Sequence, residues 1–305
     1  MSAGELLNGA DMEVTRWPAR LSVLPGERLS SWLRRIGIIY GCSIDDLLRY
    51  DLKLAYLKAS ELDMKVSDEL LKVLSIRTGI SAAAIKKMTY PATVPFLISG
   101  TPSDRANFRQ CSVFREPSNG RQVKLSQWMR WFCRESKHRV VGCRLCLADY
   151  PNAAVKLPWA LSVVMSCPSH GVMLETAEID RWSVKFSNQV KDAPALVCGL
   201  DRRTWEAVTT GFVQLPGGSV YAGQWFRLLH AIFEELNAAL IENDQSKWQL
   251  SVWREAGYFP SFDRPEPFKF DKSCAALIAV AIDQLEKGII SPNGTHASLF
   301  RKPVS

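Results

Sequence analysis

The first regular pattern in the chain is helical. Apolar residues recur every three or four positions, the spacing that places them on one face of an α-helix. They are Leu29, Trp32, Leu33, Ile36, Ile39 and Tyr40. Ser30 or Ser31 can cap the start of this helix, and Gly41 ends it. Arg34 and Arg35 fall outside the apolar face, so we predict that they bind nucleic acid or a partner protein.

Shorter helices follow, each with its own start and stop signals. Ser43 precedes a helix, and Asp46 three residues later is a shorter version of the capping-box acid. Ser67 caps a further helix whose first turn is acidic, which the helix dipole favours. Gly79 ends that helix, and another begins directly afterwards at Ser81.

The two helices around Gly79 match the helix-turn-helix pattern. In that motif the second helix lies in the major groove of DNA, where this one would present Lys86 and Lys87. The three alanines Ala82 to Ala84 offer little chemistry for reading bases, and such units also serve as protein-docking platforms. Contact with phosphate or protein and direct sequence reading therefore both stay open.

The C-terminal third is also predicted to be helical. An amphipathic helix starts after Gly223, and its apolar face is formed by Trp225, Phe226, Leu229, Ile232, Phe233, Leu236 and Leu240. Before it, residues 212–221 indicate a short hairpin or turn. A last helix covers roughly residues 272–287. Upstream, the apolar stretch 155–165 predicts an extended, half-buried segment.

A basic stretch interleaved with aromatic residues occupies residues 121–144. Its members are Arg121, Lys124, Arg130, Arg134, Lys137, Arg139 and Arg144, with Trp128, Trp131 and Phe132 among them. Such a stripe suits a nucleic-acid backbone, with Arg130, Arg134, Lys137 and Arg139 as the candidate contacts. The alternative is a helix that buries its tryptophans and turns its arginines to water, and both interpretations can hold at once.

Composition narrows the class of protein. A formal charge of +7 and a pI of about 9.0 favour an acidic partner such as DNA. The longest apolar run, residues 275–282, is too short to cross a bilayer, and no secretory signal is visible. Of the 8 cysteines, the five outside the regularly spaced pairs described below are an odd, scattered remainder, unlike a disulfide framework; they are Cys42, Cys111, Cys133, Cys198 and Cys274. We therefore expect a cytoplasmic protein without a membrane partner.

Four residues carry the strongest chemical signal. Cys143-x-x-Cys146 is followed by Cys167-x-x-His170, and two such pairs predict one tetrahedral zinc ion. Four protein ligands leave no open coordination position, so the zinc would be structural. The alternatives are four unrelated buried residues, or Cys133 as a substitute ligand.

No catalytic constellation is visible in the sequence. None of the four histidines lies in a motif with a nucleophile or a paired acid. Neither a phosphate-binding Gly-Lys-Ser/Thr loop nor a Gly-x-Gly-x-x-Gly motif occurs. We predict a binding protein rather than an enzyme, and a metal-dependent nuclease is disfavoured.

Three motifs together resemble a known family. They are Pro25-Gly-Glu-Arg-Leu-Ser-Ser-Trp-Leu-Arg-Arg35, Cys143-Arg-Leu-Cys-Leu147 followed by Trp159, and Cys167-Pro-Ser-His-Gly-Val-Met-Leu174. In order, spacing and flanking residues they are similar to the TniQ (TnsD-related) family, over about residues 20–175. One departure is that residues 175–181 lack the further Cys-x-x-Cys of many relatives, so we expect one zinc site rather than two.

The resemblance implies a non-catalytic adaptor that selects targets in DNA transposition. TniQ-family proteins recognise a site, or a complex bound there, and recruit an AAA+ ATPase regulator that brings a DDE-type transposase. A CRISPR effector complex is a further partner for some members. The chain is short for a member that reads an attachment site by itself. The alternative function is a stand-alone, zinc-containing helix-turn-helix regulator of transcription.

The predicted fold is mostly α-helical with a small zinc-finger β element. The predicted order is an N-terminal tail (1–24), a helix-turn-helix-like domain (25–95), a connection with a basic and aromatic helix (96–142), a zinc finger (143–175) and a C-terminal helical domain (176–305).

Overall fold

The computed structural model describes most of the chain. The described residues are 16–54, 57, 62–63, 66–92, 139–161, 163–180, 183–187, 189–237, 244–258 and 272–289. Within these ranges about half of the residues are helical, and small antiparallel sheets account for a minority. No helix in the described ranges is both long enough and apolar enough to cross a membrane.

The N-terminal part is a cluster of short helices. They are α1 (Leu29–Ile39), α2 (Ile44–Asp46) continued by a π-helical turn (Leu47–Asp51), α3 (Asp68–Thr78), α4 (Ala82–Lys86) and a 3-10 turn (Tyr90–Ala92). Their apolar faces enclose a core that runs from Trp17 to Met88, and the side chains of Leu29, Trp32 and Leu33 are fully buried in it.

The predicted caps of the short helices are confirmed. Ser43 and Asp46 form a capping box, in which each side chain bonds the other residue's backbone N–H at 3.1 Å. The hydroxyl of Ser67 accepts the Leu70 N–H at 3.1 Å. These signals were readable because a cap and its partner lie three residues apart in the sequence.

The predicted cap of α1 is wrong. The N-cap residue is Arg28, which makes no side-chain cap hydrogen bond, and Ser30 and Ser31 lie inside the helix. The Ser30 hydroxyl donates to Asp63 at 2.6 Å, and the Ser31 hydroxyl donates to Glu27 at 3.1 Å. Both serines therefore satisfy buried carboxylates instead of orphan helix N–H groups.

The second part begins with small strands. They are β1 (Arg139–Gly142), a 3-10 turn (Leu157–Ala160), β2 (Ser166–Cys167), β3 (Val172–Met173), β4 (Glu175–Ile179) and β5 (Val184–Phe186). Strands β1, β4 and β5 form one antiparallel sheet in that order, and β2 pairs with β3. Residues 139–186 are called the central unit below.

Helices and a hairpin make up the regular structure of the described residues after the central unit. They are α5 (Ala195–Thr210), the hairpin β6 (Phe212–Leu215) and β7 (Gly218–Tyr221), α6 (Ala222–Asn237), α7 (Asp244–Glu255) and α8 (Lys272–Glu286). The hairpin at residues 212–221 and the last helix lie where the sequence predicted them. Helix α8 packs on α5, α6 and α7. Neither α5 nor α7 was predicted.

Two predicted features of the central unit differ from the structure. Residues 155–165 are not an extended segment, because residues 157–160 form a buried 3-10 turn. Residues Arg139–Gly142 were predicted to end a connection and a helix, whereas they form strand β1. Strand β4 covers Glu175–Ile179, and the central unit shares one hydrophobic core with α5 to α8.

The helical cluster and the central unit are joined by backbone pairing. The Arg28 N–H donates to the Val155 carbonyl at 3.1 Å, and the Leu157 N–H donates to the Gly26 carbonyl at 2.8 Å. Gly26 has a φ of +69°, and an added Cβ would lie 3.1 Å from the Trp205 ring of α5. A residue with a side chain would therefore be both strained and crowded at this corner.

Glu27 is the centre of that junction. Its side chain is 0% exposed and pairs with Arg35 at 2.7 Å. It also accepts the Leu24 N–H at 3.0 Å and the Ser31 hydroxyl, and the Ser31 oxygen in turn accepts the Val155 N–H at 2.9 Å. One buried carboxylate thus organises the start of α1 and its seam with the central unit.

We predict that Glu27→Ala lowers the free energy of unfolding by about 3 kcal/mol, because it leaves the Arg35 charge buried without its partner. The matched control is Glu178→Ala, which breaks the Arg139–Glu178 pair whose side chains are 63% and 67% exposed. That change should cost less than about 1 kcal/mol. Urea unfolding of both variants measures the difference, and equal costs would contradict the role given to Glu27.

Candidate metal centre

Two tight turns present the candidate ligands. Cys143 directly follows β1, and the Leu147 N–H closes the first turn onto its carbonyl at 3.0 Å. Cys167 ends β2, and the Gly171 N–H closes the second turn onto its carbonyl at 2.8 Å. His170 lies in this second turn. The four ligands therefore come from two turns anchored on two different sheets.

The four ligand atoms converge. The Nδ1 atom of His170 lies 3.5 Å from the sulfur of Cys143, 3.2 Å from that of Cys146 and 3.6 Å from that of Cys167. The sulfurs of Cys146 and Cys167 are 3.7 Å apart, and all four atoms lie within 4.8 Å of one another. Cys143 and Cys167 are buried, whereas His170 is exposed.

These separations fit a tetrahedral zinc ion. With Zn–S bonds of about 2.3 Å and Zn–N bonds of about 2.0 Å, ligand atoms at the corners of a tetrahedron are about 3.5–3.8 Å apart. The distances from Cys143 and Cys167 to His170 and from Cys146 to Cys167 are close to those values, whereas the Cys146–His170 distance of 3.2 Å is shorter. Three sulfurs and one imidazole nitrogen are also a donor set that zinc prefers. The cluster could therefore hold one ion with no coordination position left for a substrate.

The electrostatics of the cluster call for a cation. Hydrogen bonds from the Cys143 and Cys146 thiols lower the pKa of Cys167, so this thiol ionises first. Hydrogen bonds to Cys143 and Cys167 raise the pKa of Cys146 strongly, and burial and the neighbouring negative charges raise it further. Three thiolates can coexist here only if a positive ion neutralises them.

The first turn depends on a close approach at Gly142. An added Cβ there would lie 2.7 Å from the Leu147 side chain and 3.4 Å from the Trp159 ring. Both of those side chains are buried in the core. Gly142 therefore lets the turn that carries Cys143 and Cys146 pack directly on the hydrophobic core.

A residue that the sequence did not single out supports the second turn. Asp201 of α5 is 0% exposed, and its Oδ2 accepts the Met165 N–H at 3.1 Å and the Ser166 N–H at 2.6 Å. The Ser166 hydroxyl donates to the same oxygen. Burial raises the pKa of Asp201 to about 7. Because Ser166 directly precedes Cys167, this carboxylate fixes the strand that delivers the third ligand.

The segment before α5 holds the same turn from its other side. The Met173 N–H donates to the Lys191 carbonyl and the Ala193 N–H to the Gly171 carbonyl, each at 2.8 Å. Asp192 forms a β-bridge with Val172.

No local motif identifies Asp201, since it lies more than thirty residues from Ser166. A polar residue among apolar helix positions was the one available signal.

Comparison with known proteins agrees with this architecture. The family model described as TniQ matches residues 18–174, which include the Glu27 junction and all four candidate ligands. The match covers just over half of the 305 residues. The chain belongs to the TniQ family. Membership implies a transposition-associated role in target selection. Comparison with curated proteins and with solved structures gives no match.

The TniQ chain uses its two tandem arginines internally. Arg35 pairs with buried Glu27, and its side chain is 10% exposed. Arg34 is half-buried beside Tyr150. Burial raises the pKa of the Tyr150 hydroxyl, and the charge and hydrogen bond of Arg34 offset only part of that rise. The structure therefore places both predicted partner-binding arginines at the seam between the helical cluster and the central unit.

The structure does not bring the other residues predicted to bind nucleic acid or a partner together with Arg34 and Arg35. Lys86 and Lys87 are exposed at the end of α4, and Arg139 is exposed on β1 beside Glu178. The remaining candidates lie outside the described residues; they are Arg130, Arg134 and Lys137, together with the alternative ligand Cys133. The described structure thus unites the four predicted metal ligands and leaves the predicted basic contacts dispersed.

We predict about one zinc ion per chain, and expect Cys143→Ser and His170→Ala to lower zinc content and thermal stability together. Binding should weaken as the pH falls from 7 to 5, since protons compete for thiolates and imidazole. Elemental analysis and thermal unfolding measure both effects. Cys198→Ser, which changes a half-buried cysteine outside the cluster, is the control. Wild-type protein without zinc would refute the assignment.

We further predict that Asp201→Asn lowers zinc affinity about tenfold, because residues that orient metal ligands commonly contribute that much. Competition with a chromophoric chelator measures the affinity. The control is Asp192→Asn, since this exposed aspartate contacts the same turn through its backbone. An affinity that stays at the wild-type value in Asp201→Asn would show that the carboxylate serves the fold alone.

Proposed function

We propose that the chain is a non-catalytic adaptor for target selection in DNA transposition. It would bind DNA, a targeting complex or both, and recruit an AAA+ ATPase regulator that in turn recruits a DDE-type transposase. The observation that carries this proposal is the TniQ match across residues 18–174. Those residues build the helical cluster and the metal centre as one packed arrangement.

The metal has a structural role in this proposal. One zinc ion on Cys143, Cys146, Cys167 and His170 would fix the central unit between the helical cluster and α5. The ion supplies no chemistry, because its four protein ligands fill a tetrahedral site. An adaptor needs its binding surfaces held in a defined arrangement, since local concentration does the recruiting.

The form of α4 favours phosphate or protein contact over base reading. In a helix-turn-helix the N-terminal residues of the second helix face the bases. Helix α4 has 5 residues, and its N-terminal residues are alanines. Lys86 and Lys87 lie at its other end, and Lys87 borders a cleft of about 530 Å³ with Pro25 and Thr209. These features support the adaptor over a stand-alone regulator that recognises an operator.

DNA contact is assigned in this proposal to the basic stripe that leads into β1. We predict that neutralising Arg130, Arg134 and Lys137 together weakens binding to duplexes of unrelated sequence by a similar factor. The slope of log K against log salt should fall by about 0.9 for each phosphate that the variant no longer neutralises. Fluorescence anisotropy across a salt series measures both quantities.

A matched triple variant provides the control for this test. Lys185, Lys191 and Arg202 are exposed basic residues outside the stripe, and neutralising them removes the same formal charge. This control variant should keep a salt slope close to that of the wild type. Equal effects of the two triple variants would show that only the net charge of the chain matters.

Recruitment is the decisive test of the adaptor. Wild-type protein should bind DNA weakly alone and tightly together with a purified AAA+ transposition regulator and a non-hydrolysable ATP analogue. Sedimentation of the three-component mixture measures this cooperation. Tight binding to a defined operator without the ATPase would instead favour the transcriptional regulator.

A further inference from the structure

Arg144 lies in the middle of the first ligand turn, between its two cysteines, and in the sequence it is the last member of the basic stretch. In the structure its side chain folds back onto the sheet of the central unit. Its Nη2 atom lies 3.6 Å from Oε2 of Glu175 in β4. Its guanidinium carbon lies 4.9 Å from the centroid of the Phe186 ring in β5. One side chain therefore connects the turn that carries two ligands to two strands of the sheet.

Glu175 lies close to the backbone of both ligand turns. In the pairing of β1 with β4 it stands opposite Gly142, the residue directly before Cys143. The N–H of the preceding residue, Leu174, donates to the Met165 carbonyl at 2.8 Å, in the segment that enters β2. The position of Glu175 in the fold is therefore tied to the first turn and to the strand that delivers the third ligand.

The pair of Arg144 and Glu175 is largely removed from water. The Glu175 side chain is 7% exposed and that of Arg144 is 34% exposed. A carboxylate taken out of water needs a cation or hydrogen bonds in place of its hydration, so loss of Arg144 would withdraw the cation that compensates it. The Arg139–Glu178 pair joins the same two strands with side chains that are 63% and 67% exposed. A pair so open to water contributes little.

The ring of Phe186 holds the guanidinium from a second direction, because a cation within about 6 Å of an aromatic centroid is attracted to the ring. We propose that Arg144 is a positioning residue of the metal centre, which holds the first ligand turn in the geometry that closes on the metal. Its guanidinium is committed to Glu175 and Phe186 rather than to a DNA phosphate. This inference rests on the structural metal of the proposed function and does not depend on recruitment of an ATPase.

A double-mutant cycle tests the pair. Arg144→Gln and Glu175→Gln each remove one charge, and each should lower zinc affinity about tenfold, as changes to residues that orient metal ligands do. The double variant should lose about as much as either single variant, because the two side chains act as one unit. Arg144→Lys keeps a positive charge beside Glu175 and should bind zinc more tightly than Arg144→Gln. Competition with a chromophoric chelator measures all four affinities.

The exposed pair on the same strands provides the control. Arg139→Gln and Glu178→Gln should bind zinc within about twofold of the wild type, since water screens both charges. Thermal unfolding of every variant establishes that it is folded. If Arg144→Gln and Glu175→Gln unfold at a lower temperature but keep the wild-type zinc affinity, the pair supports the fold alone and the proposal is wrong.

DNA binding gives an independent readout. Fluorescence anisotropy across a salt series should give Arg144→Gln the same slope of log K against log salt as the wild type. A slope smaller by about 0.9 would place this guanidinium on a phosphate and overturn its assignment to the turn. Wild-type protein without zinc would remove the metal centre itself. Zinc binding that does not respond to the change at residue 144 would remove this positioning role and leave the metal centre in place.

Discussion

Two buried carboxylates govern how the parts of this molecule fit together. Glu27 lies where the helical cluster meets the central unit and Asp201 where α5 meets it, and each accepts hydrogen bonds from a serine hydroxyl and backbone N–H. A carboxylate removed from water is costly unless hydrogen bonds or a cation replace its hydration. Asp201 receives its bonds from Met165 and Ser166 across the seam with α5, so a displaced α5 would leave this buried carboxyl without them. The partners of Glu27 lie in its own segment, and they hold the Ser31 oxygen where it accepts the Val155 N–H across the seam.

The features that could be predicted from the sequence are local. The Ser43 and Asp46 capping box, the hairpin at 212–221 and the two ligand pairs are each decided within a few residues. The serines of α1 show the limit of such reasoning, because a distant carboxylate outcompetes the helix N-terminus for Ser30. Asp201 was missed for the same reason. Asp201 can support β2 only when α5 and β2 are adjacent in the fold, and no residue spacing in the sequence predicts that contact.

The metal centre links these two seams. Cys143 and Cys146 follow β1, which pairs with β4, while Cys167 and His170 belong to the turn that Asp201 and residues 191–193 hold. An ion shared by both turns would therefore connect the sheet of the central unit to α5. The proposed DNA stripe runs directly into β1 and the first ligand.

The structural role of the motif Pro25 to Arg35 changes what the family match means. The Pro25 carbonyl accepts from Lys156, Glu27 pairs with Arg35, and Arg34 bonds Tyr150. The motif therefore encodes the seam between two parts of the fold. Partners are recognised by surface residues. A family match at the residues of this seam therefore supports a shared architecture more strongly than a shared partner. The specificity of the proposed adaptor is therefore expected to lie in exposed side chains outside the motif.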